Sequence, residues 1–386
     1  MSDRREIPFG RPWFSERERA AVQHVLEGHI LTHGAEGKAF EAEFASFVGD
    51  GAHCLSVSSC MAALHLSYLH LGIGPGDEVI VPAQTHTATA HAVEWTGAAP
   101  VFVDCDSATG NVTASAIAAA LTPRTRAISV VHFVGIPCDM PPIVALARDR
   151  GIAVVEDCAI ALGARRGGTH VGLFGDAGCF SFYPVKHITT GEGGMFLTRS
   201  ATVAERVAKL RAFGVDRTHT ERTVPGIYDV PVLGLNYRMS EMQAALGRAQ
   251  LTRIDQNLKR RRANFVALRT RLAELPGVRV IDAPEDGAMN SHYCLVAILE
   301  GELGERRTEV VARLNEAGVG TSVYYPQPVP RMTYYRRKYG YDASRFPHAA
   351  GISDRSIALP VGPHLDEGDM EYIGEQFSLI CEGLQV

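Results

Sequence analysis

An α/β fold, with a mainly parallel sheet followed by a smaller α+β portion, is what this sequence predicts, and three observations predict it. Short apolar runs alternate with helix-length amphipathic stretches from His53 to Asp157, the βα rhythm that covers both faces of a parallel sheet with helices. One of these runs, Gly151-Ile152-Ala153-Val154-Val155-Glu156-Asp157, ends in acid. A buried parallel strand reads this way when it delivers a carboxylate at its C-terminal end, where open α/β sheets place ligands. The chain has 386 residues, 46% hydrophobic and 21% charged, enough for one large core and a smaller domain beside it.

Ser15 and Glu18 have capping-box spacing, and Ala21, Val22, Val25 and Leu26 follow with helical period, which predicts a first helix over 16–27. Phe40, Phe44, Phe47 and Val48 mark the core-facing stripe of a second helix. A strand over 53–57 runs into Ser58-Ser59-Cys60-Met61. There the open N–H groups of a helix start can seat an anion, with a plain N-cap as the alternative. Gly72-Ile73-Gly74-Pro75-Gly76-Asp77 is a turn; it lacks the dinucleotide fingerprint and precedes a strand. Strands over 78–82, 100–103 and 127–131 then alternate with a helix capped by Thr113 and one over 140–150. After a polar stretch from Asp216 to Gly226, Ser240 caps a helix. A long charged helix over 251–275 stops at Pro276, and strands are expected near 293–299 and 321–325.

The chemistry concentrates in Phe180-Ser181-Phe182-Tyr183-Pro184-Val185-Lys186-His187, followed by Thr190-Gly191-Glu192-Gly193-Gly194. An aromatic segment that fills a strand leads into a tight loop, so Lys186 stands at a wall of the fold. An amine in apolar surroundings loses hydration of its ammonium form, its pKa falls, and it becomes a nucleophile toward carbonyls. The alternative is a stem packed on Tyr183 with its head in water. Asp157 fits the complementary role: in pyridoxal 5′-phosphate (PLP) enzymes an aspartate keeps the pyridine nitrogen protonated while a lysine carries the aldehyde as an imine. A helix N-cap is the plain reading of Asp157.

Asp157 with Ala159, Phe180-Ser181-Phe182, and Lys186 followed by Thr190-Gly191-Glu192-Gly193-Gly194 resemble the DegT/DnrJ/EryC1/StrS family of sugar aminotransferases. The resemblance runs from Ile7-Pro8 to Ser356-Ile357-Ala358-Leu359-Pro360. It implies the fold-type I PLP-transferase architecture, with a large PLP-binding domain over 1–250 that includes the N-terminal helices and a small C-terminal domain over 251–386. It implies Lys186 and Asp157 as catalytic residues and His86 as the flat surface stacked on the pyridine. Backbone contacts at Ser59, Cys60 and Met61, the Ser181 hydroxyl and Asn236 reaching from a second copy would anchor the phosphate. A homodimer with shared sites follows, as do glutamate or glutamine as donor and a nucleotide-linked keto-sugar or keto-cyclitol as acceptor. Glu192, Tyr183 and His187 are candidate supporting groups.

The chain departs from the family pattern at Cys60-Met61, where Gly-Thr is usual, at Ile160 and Leu162, where Gln and His are usual, and at Tyr324 and Pro330, where histidines are frequent. Relatives that dehydrate keto-sugars carry histidine in place of the lysine; retention of Lys186 favours transamination over PLP-dependent dehydration. A non-catalytic ligand sensor on the same fold is the alternative from another class. Retention of Asp157, Ser181, Lys186 and Asn236 together speaks against it. A dinucleotide-dependent oxidoreductase lacks its glycine fingerprint.

A net charge of −5 disfavours nucleic acid and anionic lipid as partners. The basic runs Lys259-Arg260-Arg261-Arg262 and Arg336-Arg337-Lys338 read as solvated helix faces. No apolar segment follows the charged start Met1-Ser2-Asp3-Arg4-Arg5-Glu6, and none is long enough to span a bilayer, so a soluble cytoplasmic protein is expected. The eight cysteines, without a C-x-x-C pair, read as reduced core residues, and Asn111-Val112-Thr113 is a sequon without consequence in that compartment. His86 and His91 lack the spacing of a helical metal pair, and no metal is expected.

Overall fold

The computed structural model describes residues 5–49, 51–216, 224, 227–342 and 344–385, so most of the polar stretch between Asp216 and Gly226 lies outside the described residues, as does the start of the charged N-terminus. Helices α1 (Glu16–Glu27) and α2 (Ala35–Val48) lead in. The alternation follows as β1 (His53–Val57), α3 (Cys60–His70), β2 (Glu78–Pro82), α4 (Thr87–Glu94), β3 (Ala99–Val103), α5 (Ala114–Ala120), β4 (Thr125–Val131), α6 (Met140–Arg150) and β5 (Ala153–Asp157). A ribbon of β6 (Arg165–Arg166) and β7 (Thr169–His170) precedes β8 (Ala177–Ser181), β9 (Gly194–Thr198) and α7 (Ala201–Leu210).

Seven strands form the main sheet in the order β1-β9-β8-β5-β4-β2-β3. β9 runs antiparallel to both of its neighbours and the other six share one direction. The consequence is positional: β1, β2, β4, β5 and β8 all end at one edge of the sheet. The sheet is buried on both faces, as its near-continuous apolar strands require. The stripe of α2 packs on the strand that leads to the lysine loop, with Phe44 5.2 Å from Phe180 and Phe40 5.3 Å from Phe182 between ring centroids.

The second half holds α8 (Glu241–Leu251), α9 (Ile254–Leu272), β10 (Val278–Ile281), β11 (Ala288–Met289), β12 (Leu295–Leu299), α10 (Gly301–Glu305), α11 (Arg307–Glu316), α12 (Thr333–Tyr339), α13 (Pro347–Arg355), β13 (Ser356–Leu359) and α14 (Glu367–Gln385). Strands β10, β12 and β13 form an antiparallel sheet. A second core gathers over it, with Phe265 and Leu268 of α9, Leu314 of α11 and Phe377 of α14; Ile7 from the N-terminal segment joins it.

Local signals explain the boundaries. Both halves of the capping box at Ser15 and Glu18 are made, and Ser240 with Gln243 makes another at α8. The charged helix foreseen over 251–275 is present as α9 and starts three residues later than expected, at Ile254, because Thr252 folds its hydroxyl back onto the Ala249 carbonyl and Arg253 has non-helical angles. One expected element fails. The strand foreseen over 321–325 is a single bridge between Ser322 and Ala358; beyond it the backbone turns inward and the Tyr324 carbonyl accepts a hydrogen bond from Gln84 Nε2 at 2.9 Å. All eight cysteines are free and buried, and among the described residues no helix is long and apolar enough to cross a membrane.

Candidate active site

The shared edge of the parallel strands collects the chemistry. β5 ends in Asp157, which is 4% exposed. Its Oδ2 accepts the Thr89 hydroxyl at 2.7 Å, its Oδ1 accepts the Ala159 amide at 3.0 Å, and the Cys60 thiol lies 3.8 Å from Oδ1. These neutral donors hold a carboxylate in place without cancelling its charge. No cation is paired with it in the described structure, so it stays available to a cationic ring.

β8 ends in Ser181 and the chain then folds into the lysine loop. The loop is closed by Phe182 N–H to the Gly193 carbonyl and Thr190 N–H to the Phe182 carbonyl, both at 2.9 Å. From behind, Gln250 of α8 pairs with the backbone of Thr189, and Asn257 of α9 donates to the His187 carbonyl. Lys186 is half-buried; loss of hydration pulls its pKa below the ordinary lysine value, while Cys60, Asp157 and Cys294 act in the opposite sense.

β1 ends at Val57 and leads to the start of α3. Ser59 is the N-cap, its Oγ accepting the Ala62 amide at 3.1 Å. The plain reading of Ser59 therefore holds, and its hydroxyl hydrogen is left for a further acceptor. Among the described residues the amides of Cys60 and Met61 have no acceptor, as at any helix start. Gly194 lies so close that a Cβ there would come within 2.6 Å of the Cys60 nitrogen. The partly exposed Ser181 Oγ is within 3.4 Å of the Tyr183 amide.

Past β2, His86 caps α4 through Nδ1, which accepts the Ala88 amide at 3.1 Å; its ring is exposed and meets Tyr325 edge-on at 6.0 Å. Asn236 is exposed at the protomer surface, on a segment bridged to Ala212 and, through Arg238, to Val57. Ile160 and Leu162 are core residues, 1% and 5% exposed. Of the supporting candidates, Glu192 is exposed, Tyr183 is exposed, and His187 is buried behind the loop with Nε2 donating to the Ser291 carbonyl at 3.1 Å.

One group among the described residues has metal-ligating composition, His132 with Glu156 and Cys158. Its carboxylate is already saturated: Oε1 accepts the amides of Phe174 and Gly175, and Oε2 accepts the Gly172 amide and His132 Nε2, all within 3.0 Å. His132 Nδ1 accepts the Cys138 amide. The group is a clamp on the loop between β7 and β8. Sequence reading missed Thr89 and Tyr293, and its reading of Arg261 as part of a solvated helix face is overturned: the residue is 5% exposed and donates to the Tyr293 carbonyl. Thr89 follows His86 at helical spacing and was within reach, whereas Tyr293 and Arg261 arrive from the far half of the chain with no local signal.

A parallel sheet presenting an acid, a desolvated lysine and an open helix start at one edge is the arrangement of fold-type I, PLP-dependent aminotransferases. Comparison with known proteins agrees. The model of the DegT/DnrJ/EryC1/StrS aminotransferase family matches residues 13–378. Spore coat polysaccharide biosynthesis protein SpsC of Bacillus subtilis is 36% identical over 98% of this chain and 97% of its own. The solved structures of DesV from S. venezuelae (TM-score 0.88, 34% identity, 95% of each chain) and of the aminotransferase TlmJ from Streptoalloteichus hindustanus (TM-score 0.90, 32% identity, 98% of this chain and 100% of that one) superpose on it. The chain belongs to the DegT/DnrJ/EryC1/StrS aminotransferase family, and it is a PLP-dependent aminotransferase.

Proposed function

We propose that this protein moves an amino group from glutamate or glutamine to the ketone of a nucleotide-linked keto-sugar or keto-cyclitol, with PLP held at the sheet edge. The observation that carries the reading is the convergence of the unpaired Asp157 carboxylate and the desolvated Lys186 amine beside the open start of α3. The residues fit the cofactor: open amides and the Ser59 and Ser181 hydroxyls suit its phosphate, and the exposed His86 ring suits the face of its pyridine.

In this reading the amides of Cys60 and Met61, with Ser59 and Ser181, bind the phosphate, and Asp157 holds the proton on the pyridine nitrogen. Lys186 Nζ would hold the cofactor's aldehyde and, as a free amine, would be the group that takes up and returns the proton during transfer. When bound, PLP supplies the electron sink that lets the amino group change carriers. The site belongs to the portion over 1–250, and the portion over 251–386 adds the wall with Tyr293, Tyr324 and Tyr325. Asn236 completes the phosphate site of a second copy. Apolar side chains flank it on the open surface, Leu233 at 91% exposure together with Ile227, Tyr228 and Val230, and a homodimer covers them. The name of SpsC, a polysaccharide biosynthesis protein, supports a carbohydrate acceptor.

The test is to give the PLP-loaded protein glutamate and glutamine separately and assay 2-oxoglutarate and 2-oxoglutaramate, then to offer nucleotide-linked keto-sugars and free keto-cyclitols. Formation of one oxo acid and an aminated acceptor is expected. Failure to form either oxo acid contradicts the donor assignment, and amination of neither acceptor class contradicts the acceptor assignment.

A further inference from the structure

Lys186 Nζ lies 5.1 Å from the centroid of the Tyr293 ring, within the distance at which the negative face of an aromatic ring attracts a cation. The ring is fixed from several sides. Its hydroxyl is 2.7 Å from the Tyr324 hydroxyl, and the two rings meet edge to face at 5.3 Å. Its other neighbour is the His187 ring at 5.8 Å. The Tyr293 carbonyl accepts Arg261 N–H at 2.9 Å, and Arg261 Nε donates to Asn257 Oδ1 at 2.9 Å. Asn257 in turn donates to the His187 carbonyl, and His187 Nε2 donates to the Ser291 carbonyl. The contacts close a circuit from the residue after the lysine, through α9, to the segment before β12 and back. The lysine backbone and the ring therefore keep one separation although they come from opposite halves of the chain.

Tyr293 is 3% exposed. A residue this large and this constrained could be core packing alone, but packing does not require an ammonium on the ring face. The groups that face Lys186 are Cys60 at the start of α3, Asp157 at the end of β5, Cys294 before β12, His86 at α4 and the adjacent His187. Burial keeps both thiols protonated, so Asp157 is the formal charge among them that favours the ammonium. Asp157 is also the group that a bound pyridinium would engage. Tyr293 is the remaining source of attraction, and it is not consumed by the cofactor.

We propose that Tyr293 is a positioning residue whose ring face docks the free amine of Lys186 in its ammonium form. The inference rests on the reading of Lys186 as the working amine and adds where that amine rests when no carbon is attached to it. The ring opposes the effect of burial and steadies the ammonium that Lys186 becomes after the free amine takes the proton from Cα and before it gives that proton up.

The test is competitive labelling of the full-length, cofactor-stripped protein with trace acetic anhydride, which reacts with the unprotonated amine; peptide mass spectra then give the titration midpoint of Lys186. Tyr293→Phe is expected to keep the wild-type midpoint, and Tyr293→Leu to lower it by about half to one and a half pH units. An unchanged midpoint in the leucine variant overturns the proposal. So does a phenylalanine variant shifted as far as the leucine one, because the hydroxyl and not the ring would then be acting. Should the leucine variant fail to fold, isotope-labelled methyl groups placed on Lys186 of the wild type decide the matter: an upfield ring-current displacement relative to the other methylated lysines supports the docking, and its absence refutes it. Neither measurement contains PLP, so failure here leaves the cofactor reading standing, and a chain that never bound PLP would give the same titration.

Discussion

Asp157 shows how a residue can be structurally content and chemically available at once. Its oxygens accept the Thr89 hydroxyl and the Ala159 amide; an asparagine keeps the acceptor for the amide, and its NH2 can donate to the Thr89 oxygen once that hydroxyl turns its hydrogen to Thr85. Asp157→Asn should therefore fold with little change in melting temperature while turnover falls about 10²–10³-fold, the scale of losing one charge from a buried pair; steady-state rates beside thermal melts separate the two effects. His170 makes the opposite case, a histidine that works by staying neutral. It is fully buried, its Nδ1 donates to the Val171 carbonyl and its Nε2 accepts the Gly163 amide, and burial pulls its pKa down to about 4 from the ordinary 6.5. The folded pKa lies below the unfolded one, so its contribution is complete above pH 6.5 and is lost as pH falls from there through 4. Denaturant titrations should show a loss of roughly 2 kcal/mol from this residue between pH 7 and pH 5, and a His170→Gln chain should lack that part of the slope.

Among the elements, the start of α3 is open to a single change. A Cβ on Gly194 would come within 2.6 Å of the Cys60 nitrogen and 2.7 Å of the Phe180 carbonyl oxygen, and neither backbone can yield without moving the helix start. Gly194→Ala is expected to cost about 1–3 kcal/mol and to weaken cofactor binding at least several-fold, read by PLP titration; unchanged affinity would place the phosphate elsewhere. Elements bounded by local signals were legible in the sequence: α1 and α6 fall on the expected residues because a capping box begins one and glycine in the left-handed region ends the other. The start of α9 was legible only to within three residues, since the residues around Thr252 and Arg253 carry no glycine or proline to mark it. The segment from Thr321 to Tyr325 has the β-branched and aromatic composition of a strand, yet tertiary contacts to Gln84 and Tyr293 decide its path. For the same reason the acid and the lysine were visible as local patterns, whereas the ring beside the lysine was not.

For the whole molecule, the proposed shared-site dimer would tie assembly to catalysis through the exposed apolar side chains in the segment before Asn236. That segment is bonded to the approach to α3 of its own protomer, Ser58 N–H to the Tyr237 carbonyl at 2.8 Å, so under that proposal disturbing one site reaches the other. Leu233→Asp should convert a dimer to monomers in sedimentation velocity and reduce activity at least tenfold through loss of the second copy's Asn236, whereas a dimer that persists with full activity would remove that face from the interface. The account as a whole stands on one proposed covalent bond, that between PLP and Lys186. Incubation with PLP, reduction with borohydride and peptide mass spectrometry measure it directly. The predicted result is a phosphopyridoxyl group on the Lys186 peptide that is absent from a Lys186→Ala chain; the group on another lysine, or on none, would contradict the account.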